Sequence, residues 1–168
     1  PATPEDYLHF VRLFAELRVP DPVPSPEEWG HVLPGARLAW IAGEPAGYTY
    51  FRTYAHTGHV CHLVTDPAHR GKHLGEAVLW AVAAEMRALG CTDWFLNVKP
   101  ENTSAIRLYS RVGFRRTIDA TVLRMPWAAV GDLGAPEPGV EGFEPAPEHD
   151  AAIEARFGLA NGQVESLR

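Results

Sequence analysis

The chain has 168 residues, enough for one domain with a substantial core and a short appendage but too few for two full-sized domains. An apolar fraction of 46% and a charged fraction of 21% are ordinary globular values, which sets aside a disordered or fibrous chain. The formal charge of -6 argues against a nucleic-acid partner held on a broad basic surface, so any anion must be bound locally.

In chain order, Thr3, Pro4 and Asp6 form a helix start signal: a cap, a proline at the first helical position and an acid three residues on. Leu8, Val11, Phe14 and Ala15 recur at helical spacing and are expected to face the core. Ser25, Pro26 and Glu28 repeat the device after a proline-rich bend, Pro20 to Pro24. "ARLAWIAG" and "AGYTYFRTY" read as two strands of a hairpin, with its turn placed at Gly43 to Gly47. Turn residues Ala55 to Gly58 lead into a third strand, "HVCHLVTD". An apolar helix follows from about Leu74 to Leu89, ended by Gly90, then a buried-type strand, "DWFLNV". "NTSAIRLYSRV" predicts a helix closed by Gly113, and "RRTIDATVLRMPW" a final strand or pair of strands. This order predicts an α/β fold: a mixed, mostly antiparallel central sheet with helices on both faces.

Composition changes after Trp127, which predicts a main domain over 1–127, a Gly/Ala/Pro-rich linker over 128–139 and a strand-helix extension over 140–168. "PAPEHD" in the extension echoes the opening "PATPED", so this segment either begins a second copy of the fold or docks on the first. Cys61 and Cys91 are thirty residues apart in a chain too large to need stapling, which predicts free thiols in a reducing, cytoplasmic setting. No apolar run approaches the length of a membrane span, and the opening residues lack the basic and apolar regions of an export signal. No membrane partner is expected.

Chemistry concentrates in "VTDPAHRGKHLG", Val64 to Gly75. A strand that ends in a loop with Arg70, Gly71, Lys72 and Gly75 and enters a helix directly aims several backbone N–H groups at one spot. The positive end of the helix dipole adds to them, and a phosphate or pyrophosphate suits the result. The nucleotide-triphosphate loop does not fit, because Lys72 is followed by His73 and no glycine stands five positions before Gly71. The dinucleotide fingerprint does not fit either, since only Gly71 and Gly75 are present.

These residues resemble the GNAT superfamily of acyl-CoA N-acyltransferases, whose pattern is an apolar strand, often a proline, then Arg/Gln-x-x-Gly-x-Gly/Ala opening a helix. In "LVTDPAHRGKHLG", Pro67, Arg70, Gly71 and Gly75 fall in register, and His73 stands where the family usually has its central glycine. A second stretch, "NVKPENTSAIRLYSRVGF", resembles the family's later motif through Asn102, Ala105, Tyr109, Gly113 and Phe114. The family's first strand has no counterpart before the first helix here. It lies upstream of Pro1, or residues 140 to 145 take its place.

The resemblance implies direct transfer of an acyl group, usually acetyl, from acetyl-CoA to a primary amine, through a tetrahedral intermediate and without a covalent enzyme adduct. The diphosphate of CoA would be held by the backbone of Arg70, Gly71, Lys72, His73, Leu74 and Gly75, with charge added by Arg70 and Lys72, and Asn102 belongs to the same cofactor-binding set. The splayed strand end, Leu63, Val64 and Thr65, would pair with the pantetheine amides like an added strand. Tyr109 matches the family's tyrosine and is the expected general acid, since a phenol of pKa near 10 can protonate a thiolate. Relatives often carry Glu or His six residues before the position of Thr65, where this chain has His59, the expected base. Strict alternation would put His59, Cys61, Leu63 and Thr65 on one face of the strand and His62 on the other.

Three other readings were weighed. His56 to His73 holds five histidines and Cys61, but Pro67 and Gly71 make a loop of the segment carrying His69 and His73, and there is no cysteine pair, so no metal is expected. Arg107, Arg111, Arg115 and Arg116 read as a solvated face, one or two of them able to meet the CoA 3'-phosphate. A GNAT-like module that binds acyl-CoA without turning it over is the alternative to an enzyme. The acceptor, a small molecule or peptide amine, is not specified by these residues, and monomer and homodimer both stay open.

Overall fold

The computed structural model describes residues 1–121 and 146–167. Four strands, β1 (Ala36–Ile41), β2 (Glu44–Tyr54), β3 (Thr57–Thr65) and β4 (Asp93–Leu96), form a sheet in the order β1-β2-β3-β4. The first three run antiparallel and β4 runs parallel to β3, which makes the sheet mixed and mostly antiparallel as the element order predicts.

Helices α1 (Tyr7–Phe14) and α2 (Pro26–Val32) cover one face. Their starts are built as the sequence implies. A 3-10 turn, Pro4–Asp6, precedes α1, with the Thr3 amide and hydroxyl both donating to Asp6 Oδ2. In α2 the Ser25 amide donates to Glu28 Oε2 at 2.6 Å while the Glu28 amide donates to Ser25 Oγ at 3.2 Å. The buried face of α1 is Phe10, Leu13 and Phe14, not the face through Leu8, which is 75% exposed. The sheet decides the phase: Phe10 stacks on Trp29 at 4.3 Å and meets Tyr48 edge-on, and this aromatic block fills the space above β2. Burying Phe10 and Trp29 contributes roughly 2–3 kcal/mol each.

On the opposite face, α3 (Leu74–Ala88) and α4 (Thr103–Val112) pack Leu79, Val82, Met86 and Leu108 against Phe51 and Val60. Gly90 and Gly113, at φ of 90° and 111°, close these two helices where expected. Close packing needs glycine at Gly35, where a Cβ would stand 1.9 Å from the Phe51 carbonyl oxygen.

Both hairpin turns are tighter than their composition suggests. The first is only Ala42-Gly43, both at positive φ, and the second only Ala55-His56, so Glu44–Gly47 and Thr57–Gly58 already belong to strands. Residues 115–121 carry no regular structure, and the rest of the expected final strand, the linker and the strand at 140–145 lie outside the described residues. The helix of the extension is α5 (Asp150–Phe157). The segment after it turns back on the body: a Cβ on Gly162 would stand 3.4 Å from the Ala55 Cβ.

Candidate active site

The β3–α3 junction is a short stack of turns. Asp66 caps the 3-10 turn Pro67–His69 by accepting from the Ala68 amide at 2.9 Å, and it pairs with Arg12 of α1. These partners hold its carboxyl below the usual carboxylate range, Arg12 most of all. Arg70 reaches back to Glu16 Oε2 at 2.6 Å and to the Thr65 carbonyl at 3.2 Å, while Lys72 donates to the Ala68 carbonyl at 3.0 Å. Both cations thus brace the loop through protein contacts. Gly71 and His73 adopt positive φ, 73° and 60°, so the backbone curls into α3. Among the described residues, the amides of Gly71, Lys72, His73, Leu74, Gly75 and Glu76 donate to no protein acceptor. They lie in consecutive residues at the entrance of α3, where the helix dipole is positive. Glu76, the acid nearest that turn, lies 3.3 Å from both His73 Nδ1 and Arg111 Nε, and Arg111 offsets its charge.

Next to this turn the sheet opens. β3 and β4 pair from Thr57–Asp93 to Val60–Leu96 and no further, although β3 runs on to Thr65. Leu63, Val64 and Thr65 remain bonded to Thr49, Tyr48 and Gly47 of β2 and present their other edge to the gap.

A bulge at the mouth of the gap corrects the alternating register expected for β3. Tyr50 pairs with His62 and Phe51 with Val60, so Cys61 is the extra residue. Beyond it the faces exchange. His59, Cys61, His62 and Val64 face the α1 side, while Val60 and Leu63 face α3, with Thr65 beneath Gly75. His62 therefore lies on the His59 side, not opposite to it, and Leu63 and Thr65 leave that side. Thr49, fully buried, donates from its hydroxyl to the His62 carbonyl at 2.8 Å, next to the bulge.

The α1-side cluster at the gap consists of His59, Cys61, His62, Tyr50, Arg52 and Tyr54. His59 lies 3.6 Å from Cys61 Sγ through Nδ1. Burial, with Arg52 assisting, holds the His59 imidazole below its ordinary 6.5. Burial likewise lowers His62, whose Nδ1 is 3.1 Å from Tyr48 Oη, and pushes the Cys61 thiol up to about 11, so Cys61 is a protonated wall residue. Tyr109 sits on the other side of the sheet, half-buried against the α3 cluster and edge-on to Phe114 at 5.8 Å, and burial raises its phenol above 10. Asn102 caps α4, its Oδ1 accepting from the Ala105 amide at 3.2 Å and the Ser104 hydroxyl at 3.0 Å, which is a structural task. Sequence reasoning did not single out Tyr50, Arg52 or His62 as site residues. Their meeting depends on cross-strand register, and no local pattern announces it. Among the described residues no group of three or more His, Cys, Asp or Glu is placed to hold a metal ion.

A sequence model of the Acetyltransferase (GNAT) family matches residues 7–114, which include the loop, the opened strand pair and Tyr109. The chain belongs to this family. Among curated relatives, a mycothiol acetyltransferase from Thermobispora bispora is 35% identical over 98 residues, covering 54% of this chain and 33% of the relative. The match thus spans about a third of that protein's length. Among solved GNAT-like folds, a putative acetyltransferase from Agrobacterium tumefaciens superimposes with a TM-score of 0.65 at 19% identity, covering 74% of this chain and 96% of that one. An aminoglycoside N-acetyltransferase in complex with CoA gives 0.64 at 16% identity, covering 74% and 91%. At these identities the two structures establish the acyl-CoA N-acyltransferase fold, and acetyl-CoA is the co-substrate that the GNAT family uses.

Proposed function

We propose that this GNAT domain moves an acetyl group from acetyl-CoA to a primary amine of a small molecule or peptide by direct transfer. The observation that carries the reading is the β3–β4 gap, which begins after Val60 and lies beside six backbone amides, Gly71 to Glu76, that have no protein acceptor among the described residues. Backbone amides at a helix entrance suit a diphosphate, and the open edge of β3 at Leu63 to Thr65 suits an amide-bearing arm pairing as an added strand does. When bound, acetyl-CoA supplies the activated acyl group.

The chain's own residues then divide two proton tasks across the sheet. His59, on the α1 side, is kept neutral near pH 7 and takes the proton of the incoming amine. Tyr109, on the α3 side, stays protonated and gives a proton to the departing thiolate. Burial acts in the right direction for both, since it disfavours the charged form of each.

The test is a titration with acetyl-CoA followed by thiol-release assays over a panel of amines, comparing wild type with Tyr109→Phe. Release that requires an amine and falls in the variant supports the reading. Tight binding with no release from any amine would replace it with a non-catalytic acyl-CoA-binding module.

A further inference from the structure

The remaining feature is Arg52. It pairs with His59 across the β2–β3 ladder on the same face, at the mouth of the gap. Its Nε donates to Tyr50 Oη at 2.5 Å, its guanidinium carbon stands 5.6 Å from the Tyr50 ring centre, and the Tyr54 phenol also acts on it. Arg12, Arg37 and Arg70 are anchored by Asp66, Glu85 and Glu16, whereas Arg18, Arg87, Arg107 and Arg115 share with Arg52 the lack of a carboxylate partner among the described residues, and only Arg52 of these stands on the His59 face. Arg52 is exposed and makes no ion pair among the described residues. Two phenols orient it without cancelling its charge.

That placement works against an ordinary amine. An alkylamine arrives as an ammonium ion, and a fixed guanidinium beside its intended base repels it. The conflict disappears if the acceptor carries its own anionic group a few bonds from the nitrogen. The planar fork of Arg52 can then take two oxygens side by side while the nitrogen lies toward His59, one cross-strand step away. The same positive charge makes the ammonium easier to deprotonate. His62 and Cys61 line the same face as neutral groups at pH 7, with the Asp21 carboxylate acting on His62.

We infer that Arg52, oriented by Tyr50, is the specificity-determining group for an acceptor bearing a carboxylate or phosphate close to its amine. The inference deepens the transfer reading and rests on it for the role of the bound amine.

Calorimetric titrations in the presence of CoA test it. The probes are glycine, β-alanine and phosphoethanolamine, each against its uncharged counterpart: glycinamide, β-alaninamide and ethanolamine. The first two pairs report on carboxylate and the third on phosphate. At least one anionic probe is expected to bind about tenfold tighter than its counterpart. Arg52→Gln is expected to abolish that difference and Arg52→Lys to keep part of it, with CoA affinity unchanged in both as the check on folding. Equal binding of every pair, a preference that survives Arg52→Gln, or no measurable binding of any probe overturns the inference. An Arg52-dependent preference together with no thiol release from any amine of the wider panel would leave the anion site standing and sink the transfer reading instead.

Discussion

His59 lies flat against Phe95 at the rung where β3 and β4 are about to part, with ring centroids 4.3 Å apart and planes 8° from parallel. The contact fixes the imidazole at the edge of the gap and removes water from one of its faces, while Arg52 adds a like charge. A base held in this way works in its neutral form at mildly acidic pH.

If His59 is that base, the acidic limb of kcat/KM for amine acetylation has its midpoint below 6.5, because activity is lost when the imidazole gains its proton at a value under the ordinary one. His59→Gln is expected to lower kcat about 10²-fold and to erase that acidic limb. A limb unchanged in the variant would assign it to another group.

The histidines also tie stability to pH. His59 and His62 both take protons less readily in the folded chain than in the unfolded one, where the ordinary value is 6.5. Between the two values the unfolded state binds more protons, so their contribution is complete above 6.5 and is lost as pH falls through the lower folded values. Urea midpoints measured from pH 8 to 5 should fall below 6.5, and less steeply in His62→Gln. Identical slopes in the two proteins would rule out His62.

Tyr109→Phe keeps the ring that packs on Phe114 and removes only the hydroxyl. It is expected to lower kcat about 10²-fold while shifting stability by less than about 1 kcal/mol. Because burial raises this phenol, no alkaline limb below pH 10 should arise from it. A variant with wild-type kcat would remove Tyr109 from the chemistry.

Backbone geometry makes two further predictions. His73 occupies the left-handed region at φ 60°, the conformation that explains glycine at this place in the family pattern. His73→Gly should therefore bind acetyl-CoA within about threefold of wild type, whereas His73→Val, β-branched and strained there, should weaken binding at least about tenfold. At Gly35, where an added Cβ meets a backbone carbonyl, Gly35→Ala should cost about 3 kcal/mol and lower Tm by roughly 10 °C in a thermal melt. A His73→Val variant that binds as tightly as His73→Gly, or an unchanged Tm in Gly35→Ala, would contradict the local geometry.

Much of this protein was legible residue by residue. Ser25 with Glu28, Thr3 with Asp6, Gly90 and Gly113 marked helix ends, and the run from Thr65 into Leu74 marked the strand-to-helix turn. Each signal acts through bonds or dihedrals within about four residues, so a local pattern contains it. The phase of α1 did not follow in the same way, since Leu8 and Phe10 are both apolar and only the aromatic block above β2 selects between them. Nor did the bulge at Cys61, which exists only because β3 is paired with β2, with the Thr49 hydroxyl donating to the His62 carbonyl beside it. One extra residue in that ladder reversed the faces of everything after it, bringing His62 to the side of His59 and Arg52. The amino-acid order by itself determined the helices, the strands of the described sheet, the helix caps and the turn between β3 and α3. The contents of the cluster on the α1 side of the sheet were decided only by tertiary structure, because register between strands is a long-range balance of packing and hydrogen bonding that no short stretch of chain encodes.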